Sequence, residues 1–338
     1  MMTWLRSPLI QIFCLLIALF SPYSIAGNPS WEQFKQEFLS SDGRVIDNGN
    51  GNITHTEGQG VAMLMAVQFD DQVTFDKTWG WTKSHLQVRE DSLFAWSWSE
   101  SEGVKDLNNA SDGDLFIAWA LARAYKKWND PEYLSASLDI SKTIRLKLIK
   151  ESSGGAVILP GLQGFEKANG YILNLSYWVF PAIAELNQID PSSQWLDLER
   201  TGIKLLKEAR FGKWQLPPDW LLIKNKPEPT LNKRFGYDAV RIPLYLIWGK
   251  VATKELLKPF QDFWGNFPKP DYLPSWVDLE TNAVGNYNAS MGFHNIAKLT
   301  LNYPNLNSNE ILWPDTSQSY YSYMLTFFSQ LALEDLKK

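Results

Sequence analysis

The sequence predicts an all-α fold, a single domain in which inner and outer helices alternate around a toroid. Three observations lead there. Apolar residues recur at spacings of three and four through most of the chain, the signature of helices with a buried face. Strand-like alternation is scarce, with residues 155–159 and 86–92 the best candidates. No low-complexity linker and no strict repeat divides the chain of 338 residues.

The first 26 residues read as an address. One cation, Arg6, precedes an apolar run from about Leu9 to Phe20, Pro22 breaks the run, and Ser24-Ile25-Ala26 is a small-x-small cleavage pattern. The run is too short to span a bilayer comfortably, so a cleaved signal peptide is expected over a membrane anchor. No small-residue lipobox precedes Cys14, so lipidation is not expected. The mature domain then covers 27–338, periplasmic or secreted, with no membrane contact after cleavage. It has no cysteine, since Cys14 is the only one.

Helical periodicity follows in order at residues 31–39, 61–69, 115–128, 133–149, 176–186, 195–209, 243–251 and 320–333. Loops carry the punctuation: Asn48-Gly49-Asn50-Gly51-Asn52, Ser152-Ser153-Gly154-Gly155 and Lys226-Pro227-Glu228-Pro229. Roughly twelve helices over the mature chain leave about 26 residues for each helix and its loop, a natural length for a turn-and-return unit.

Composition narrows the chemistry. Lys plus Arg is 32 and Asp plus Glu is 37, a net charge of −5, and loss of Arg6 takes the mature chain to −6. A phosphate backbone wants a basic stripe, so no nucleic-acid partner is expected. One cysteine and three histidines rule out a disulfide framework and leave little for a metal; no catalytic metal or other cofactor is expected. The chain carries 16 Trp, 13 Tyr and 18 Phe, which suits either a large aromatic core or flat platforms for sugar rings.

Three acidic segments open helices. Thr54 and Glu57 have capping-box spacing before Val61-Ala62-Met63-Leu64-Met65, and Gly58 and Gly60 beside Glu57 would let a ligand approach closely. Ser111 and Asp114 form a second cap pattern, which leaves Asp112 unexplained. Asp238 and Arg241, three apart before Pro243, have the spacing of a structural ion pair. Each segment has a plain structural reading. In a toroid, however, all inner helices start at one end, and their first residues converge on one cleft. Carboxylates so gathered, without metal ligands or a nucleophile triad, are what glycoside hydrolysis needs.

The run Ala110-Ser111-Asp112-Gly113-Asp114-x-x-Ile117-Ala118-x-Ala120-Leu121-x-x-Ala124-x-x-x-Trp128 resembles the signature of glycoside hydrolase family 8. Thr56-Glu57-Gly58-Gln59 and Tyr237-Asp238-Ala239-x-Arg241-x-Pro243 resemble that family's acid and base segments. Ser275-Trp276-Val277-Asp278-Leu279 and Ser290-Met291-Gly292-Phe293 resemble its C-terminal ones. The resemblance spans nearly the whole mature chain, and within the family it is strongest to the exported branch that accompanies bacterial cellulose synthase. It implies an (α/α)6 barrel, an inverting endo-β-1,4-glucanase, a β-1,4-glucan as substrate, a cellulose synthase complex as partner and a monomeric chain. By the same resemblance Glu57 is the general acid, Asp238 the general base and Asp112 the acid that holds the distorted sugar. Arg241 pairs with Asp238 and keeps it ionised. Tyr177 touches the attacking water or the sugar, although Asn174-Leu175-Ser176-Tyr177 lacks the family's usual proline at position 175.

Trp96 in Phe94-Ala95-Trp96 resembles the family's platform tryptophan, and Trp98, two residues on in an extended segment, is expected on the same side. Trp119, Trp128, Trp195 and Trp248 sit in apolar helical stripes and read as core. Two alternatives stay open: the same fold acting on chitosan, xylan or mixed-linkage glucan, and a non-catalytic polysaccharide-binding protein of an export machine.

Overall fold

Two kinds of helix build the protein, and burial separates them. The structure, a computed structural model, describes residues 29–224, 226–267, 272–307, 311–313 and 319–338, so the expected signal segment lies outside the described residues. Among these lie eleven α-helices: α1 Pro29–Phe38, α2 Thr56–Gln68, α3 Gln72–His85, α4 Ser111–Trp128, α5 Pro131–Thr143, α6 Phe180–Ile189, α7 Ser193–Glu208, α8 Ile242–Trp248, α9 Lys254–Gly265, α10 Met291–Asn302 and α11 Tyr320–Leu336. All seven residues of α8 are buried, as is α2 from Gly58 to Val67. Helices apolar on every side belong inside a fold. By contrast, α7 buries Trp195, Leu198, Gly202, Leu205 and Leu206 on one stripe, and α9 buries Leu256, Leu257, Phe260, Phe263 and Trp264.

The inner helices meet in sequence: α2 packs on α4, α4 on α6, α6 on α8, α8 on α10 and α11, and α11 reaches back to α2. Each of α3, α5, α7 and α9 packs against the inner helix that precedes it. The tightest junction, α2 with α4, depends on glycine. A Cβ on Gly60 would lie 2.6 Å from Phe116 Cβ, and one on Gly113 would lie 2.0 Å from Thr56 Oγ1. Gly60, close to Glu57, therefore serves helix packing, not the approach of a ligand.

Side-chain caps are found on all four of the outer helices but on only two of the inner ones, α2 with His55 and α11 with Ser319. The outer helices have side-chain caps at their first turns, from Asp71 on α3, Asp130 on α5, Ser192 on α7 and Thr253 on α9. The inner helices α4, α6 and α8 have none. This overturns two cap patterns in the sequence. Thr54 Oγ1 donates to Val45 O, while His55 Nδ1 caps α2 by accepting from Gly58 N–H. Asp114 accepts instead from Phe94 N–H and Asn109 Nδ2. Glu57 is thus released from capping, while Asp112 Oδ1 accepts from Gly113 N–H.

The strands are short, none longer than four residues among the described ones. Gly155–Ile158 is a strand, as expected, paired with Ile149–Ser152, so the helix expected over 133–149 ends earlier and unwinds through a π-turn at Ile144–Leu148. The helix expected over 176–186 is broken into a 3-10 turn, Leu175–Tyr177, and α6 with Pro181 in its first turn. Residues 86–92 are not a strand: the Leu86 and Gln87 N–H groups both close on Thr82 O at the end of α3, and Arg89 folds back onto Asp91. In the segment read as a loop, Pro227–Pro229 forms the edge of a four-stranded antiparallel sheet, where a proline's missing donor costs nothing.

One core joins the layers. Trp119, Trp195 and Trp248 are buried in it with Trp178, while Trp128 is half-buried and donates to Asp70 Oδ1.

Candidate active site

The starts of α2, α4 and α11 and the segments leading into α6 and α8 converge on a cavity of about 240 Å³. Glu57, Trp96, Asp112, Tyr177, Asp238 and Arg241 all line it. Among the described residues a larger cavity, about 570 Å³, lies at the opposite helix ends around the Arg123 pairs with Glu185 and Asp335.

Arg241 organises the carboxylates. It is buried, and its Nη1 donates to Glu57 Oε2 at 2.8 Å and approaches Asp112 Oδ2 at 3.5 Å. Its Nη2 donates to Asp238 Oδ1 at 2.9 Å and to Ser176 Oγ at 3.0 Å. The sequence suggested a pair with Asp238 alone; the fork in fact serves three acids, which a planar guanidinium does and an ammonium does not. Glu57 and Asp238 therefore sit at the two arms of one guanidinium. Two hydrogen bonds and the width of that group put a ceiling of about 8 Å between the bound oxygens.

Burial sets the electrostatics. Burial, with the Glu57 carboxylate beside it, pushes Asp112 well above the ordinary carboxyl range, against the pull of Arg241. Burial also raises Asp238, again opposed by Arg241. Tyr177 is pushed well above its ordinary value by burial and by the charges of Asp112 and Asp238, so it remains a neutral phenol and a donor. The turn carrying it forms without proline: buried Leu175 starts it, and Asn174 Oδ1 accepts from Ser176 N–H and Oγ.

These shifts bear on stability. Burial pushes Asp114 and Asp219 up to about 7, the latter helped by the charge of Asp238. A carboxyl raised on folding stabilises most below its unfolded value of 3.8 and loses that contribution as pH climbs toward 7. Asp71 and Asp91 are held down at about 2, by Lys35 and by Arg89 against the cost of burial, and their contributions disappear as pH falls from 3.8 toward 2. Thermal melts from pH 3 to 9 are expected to peak between pH 4 and 6. A melting temperature still rising at pH 8 would contradict the shifts.

The two tryptophans part company. Trp96 is half-buried on the cavity wall, with Nε1 donating to Asp106 Oδ2 at 3.1 Å. Trp98 does not line the cavity. Pairing of Ser97–Trp98 with Thr54–His55 directs it against Trp81 and His85, with the Arg44 guanidinium 4.7 Å from its ring. Trp276 lies under the Arg234 guanidinium at 4.2 Å.

Sequence reasoning missed Asp47, Asn50, Tyr237 and Tyr321 on the cavity wall. Tyr321 stands in the first turn of α11 and its hydroxyl donates to Tyr237 O. Its position at a helix start was the available signal. Among the described residues no group of three or more His, Cys, Asp or Glu is placed to hold a metal ion.

The model of "Glycosyl hydrolases family 8" matches residues 5–335. A probable endoglucanase of Novacetimonas hansenii is 38% identical over 311 residues, covering 89% of each chain. An endoglucanase of Cellulomonas uda is 36% identical, covering 86% of this chain and 83% of its own. Among solved structures, a family 8 endoglucanase of Klebsiella pneumoniae superposes with a TM-score of 0.87 at 37% identity, over 91% of this chain and all of its own. An endo-β-1,4-glucanase of Acetobacter xylinum gives 0.86 at 36%, over 91% of this chain and 98% of its own.

Proposed function

The chain belongs to family 8 of the glycosyl hydrolases, and from that premise we propose that it is an endo-β-1,4-glucanase acting with inversion. The observation that carries this reading is the single guanidinium shared by Glu57 and Asp238. One cation bonded to both carboxylates gathers an acid and a base at one cavity, the pair that glycoside hydrolysis needs, and the inverting course is proposed from the family.

In the proposed reaction Glu57 donates its proton to the glycosidic oxygen as the C1–O bond breaks. Water attacks C1 from the opposite face and gives a proton to Asp238. Asp112, with Arg241 beside it, holds the distorted sugar, and the Tyr177 phenol donates to the sugar or orients the water. Trp96 offers its face to a ring. Each turnover leaves Glu57 deprotonated and Asp238 protonated, and solvent must exchange both.

We read the ring of α2, α4, α6, α8, α10 and α11 with its outer layer as an (α/α)6 barrel. We further propose a cleaved signal over residues 1–26, a periplasmic or secreted monomer, and a role beside bacterial cellulose synthesis. The endoglucanase names of the Novacetimonas and Acetobacter relatives support the activity.

Two measurements test the activity. Carboxymethylcellulose should lose viscosity faster than it gains reducing ends, and ¹H NMR of cellopentaose hydrolysis should show the α-anomer first. A β-anomer appearing first would overturn inversion. Cleavage of chitosan or xylan with cellulose derivatives untouched would overturn the substrate.

A further inference from the structure

Asp219 is a buried carboxylate that the mechanism above does not use, yet it holds the segment that carries the base. It is 4% exposed. Its Oδ1 accepts three backbone N–H groups, from Gly236 at 2.9 Å, Asp238 at 3.2 Å and Ala239 at 2.9 Å. Its Oδ2 accepts from Asn232 Nδ2 at 3.2 Å, and its own N–H donates to Arg234 O at 2.6 Å. One residue therefore grips the chain from 232 to 239, across the strands Leu221–Ile223 and Pro227–Pro229 that separate them. Position 236 fits closely as well: a Cβ there would lie 3.0 Å from Asp219 Oδ2.

The grip has a specific consequence. The turn at Ala239–Arg241 has no cap from its own neighbouring side chains, since Asp238 forms no cap hydrogen bond. Free N–H groups at a helix entrance need an acceptor, and here a residue about twenty positions upstream supplies it. With the turn capped from outside, the Asp238 side chain is free for Arg241 and the cavity. Resting on the assignment of Asp238 as base, we propose that Asp219 is a positioning residue that fixes the Asp238 backbone and so the reach of its carboxylate to the attacking water.

Asp219→Ala removes the acceptor, while Asp219→Asn keeps an oxygen where Oδ1 stands. Asp219→Ala is expected to lower kcat roughly a hundredfold with KM within about threefold, the scale on which small misplacements act. Asp219→Asn should recover most of that loss. The Ala defect should persist on β-cellobiosyl fluoride, whose leaving group needs no acid but whose hydrolysis still needs the base. A kcat for Asp219→Ala within about threefold of wild type, or equal defects in the Ala and Asn variants, would overturn the proposal. Should the Ala protein fail to fold, Gly236→Ala, which presses a methyl on the same carboxylate, must lower kcat and leave KM unchanged; an unchanged kcat again overturns it. Asp238→Asn measured alongside separates the two claims. If it turns over normally, the base assignment falls. If it is inactive while Asp219→Ala is not, only the role of Asp219 falls.

Discussion

Asp238→Asn and Glu57→Gln should each lower kcat on a β-1,4-glucan by about 10²–10⁴, the range a positioned acid or base supplies. The substrate's leaving group then tells them apart. Fluoride departs without protonation, so Glu57→Gln should recover substantially on β-cellobiosyl fluoride. Asp238→Asn should not, because water still needs a base. Equal recovery of both variants, or of neither, would remove the roles assigned here, and the reverse pattern would exchange them.

The second large effect belongs to Arg241. It is the shared cation of Glu57, Asp112 and Asp238, all within 3.5 Å of its nitrogens. Arg241→Met leaves three acids crowded around one site with no cation, and breaking a buried pair in this way costs about 3–5 kcal/mol. Denaturant titration at pH 7 should show that loss, and it should shrink toward pH 4 as the carboxyls take up protons. Arg241→Lys keeps the charge but loses the fork, so it should recover stability in part and activity very little. Lysine restoring full activity would show that charge alone matters at this position.

Much of this is legible in the sequence alone. Near-continuous apolar runs mark α2, α4 and α8, because these helices are buried on nearly every side. The rule that inner helices start together brings Glu57, Asp112 and Asp238 to one place. Other features are hidden for physical reasons. On α3 the buried face mixes Thr74, Thr78 and Thr82 with Phe75, Trp79 and Trp81, so polar side chains dilute the apolar period. On α9 an internal Pro259 imitates a break. The cap patterns at Thr54 and Ser111 mislead because spacing cannot tell which partner a side chain takes: the Arg44 Nε–H donates to Thr54 Oγ1 in place of a helix N–H, and Asn109 draws Asp114 away. Asp219 leaves no trace, since its partners are backbone groups of a segment about twenty residues on. Trp98 is misplaced because alternation along an extended segment does not show which neighbours wait on each side.

The hydrogen bond from Arg241 to Glu57 joins residues 184 positions apart, and the cavity wall is completed by Tyr321 from the start of the last helix. The catalytic centre therefore works as a clasp that shuts only when both ends of the chain are in place. Contacts of such long sequence separation are slow to form. On the roles proposed for Glu57 and Asp238, a growing or partly threaded chain would hold its acid near one end without the base or the bridging cation, and would be inert. Appearance of activity would then mark completion of the whole fold, a late event that no single fragment can imitate.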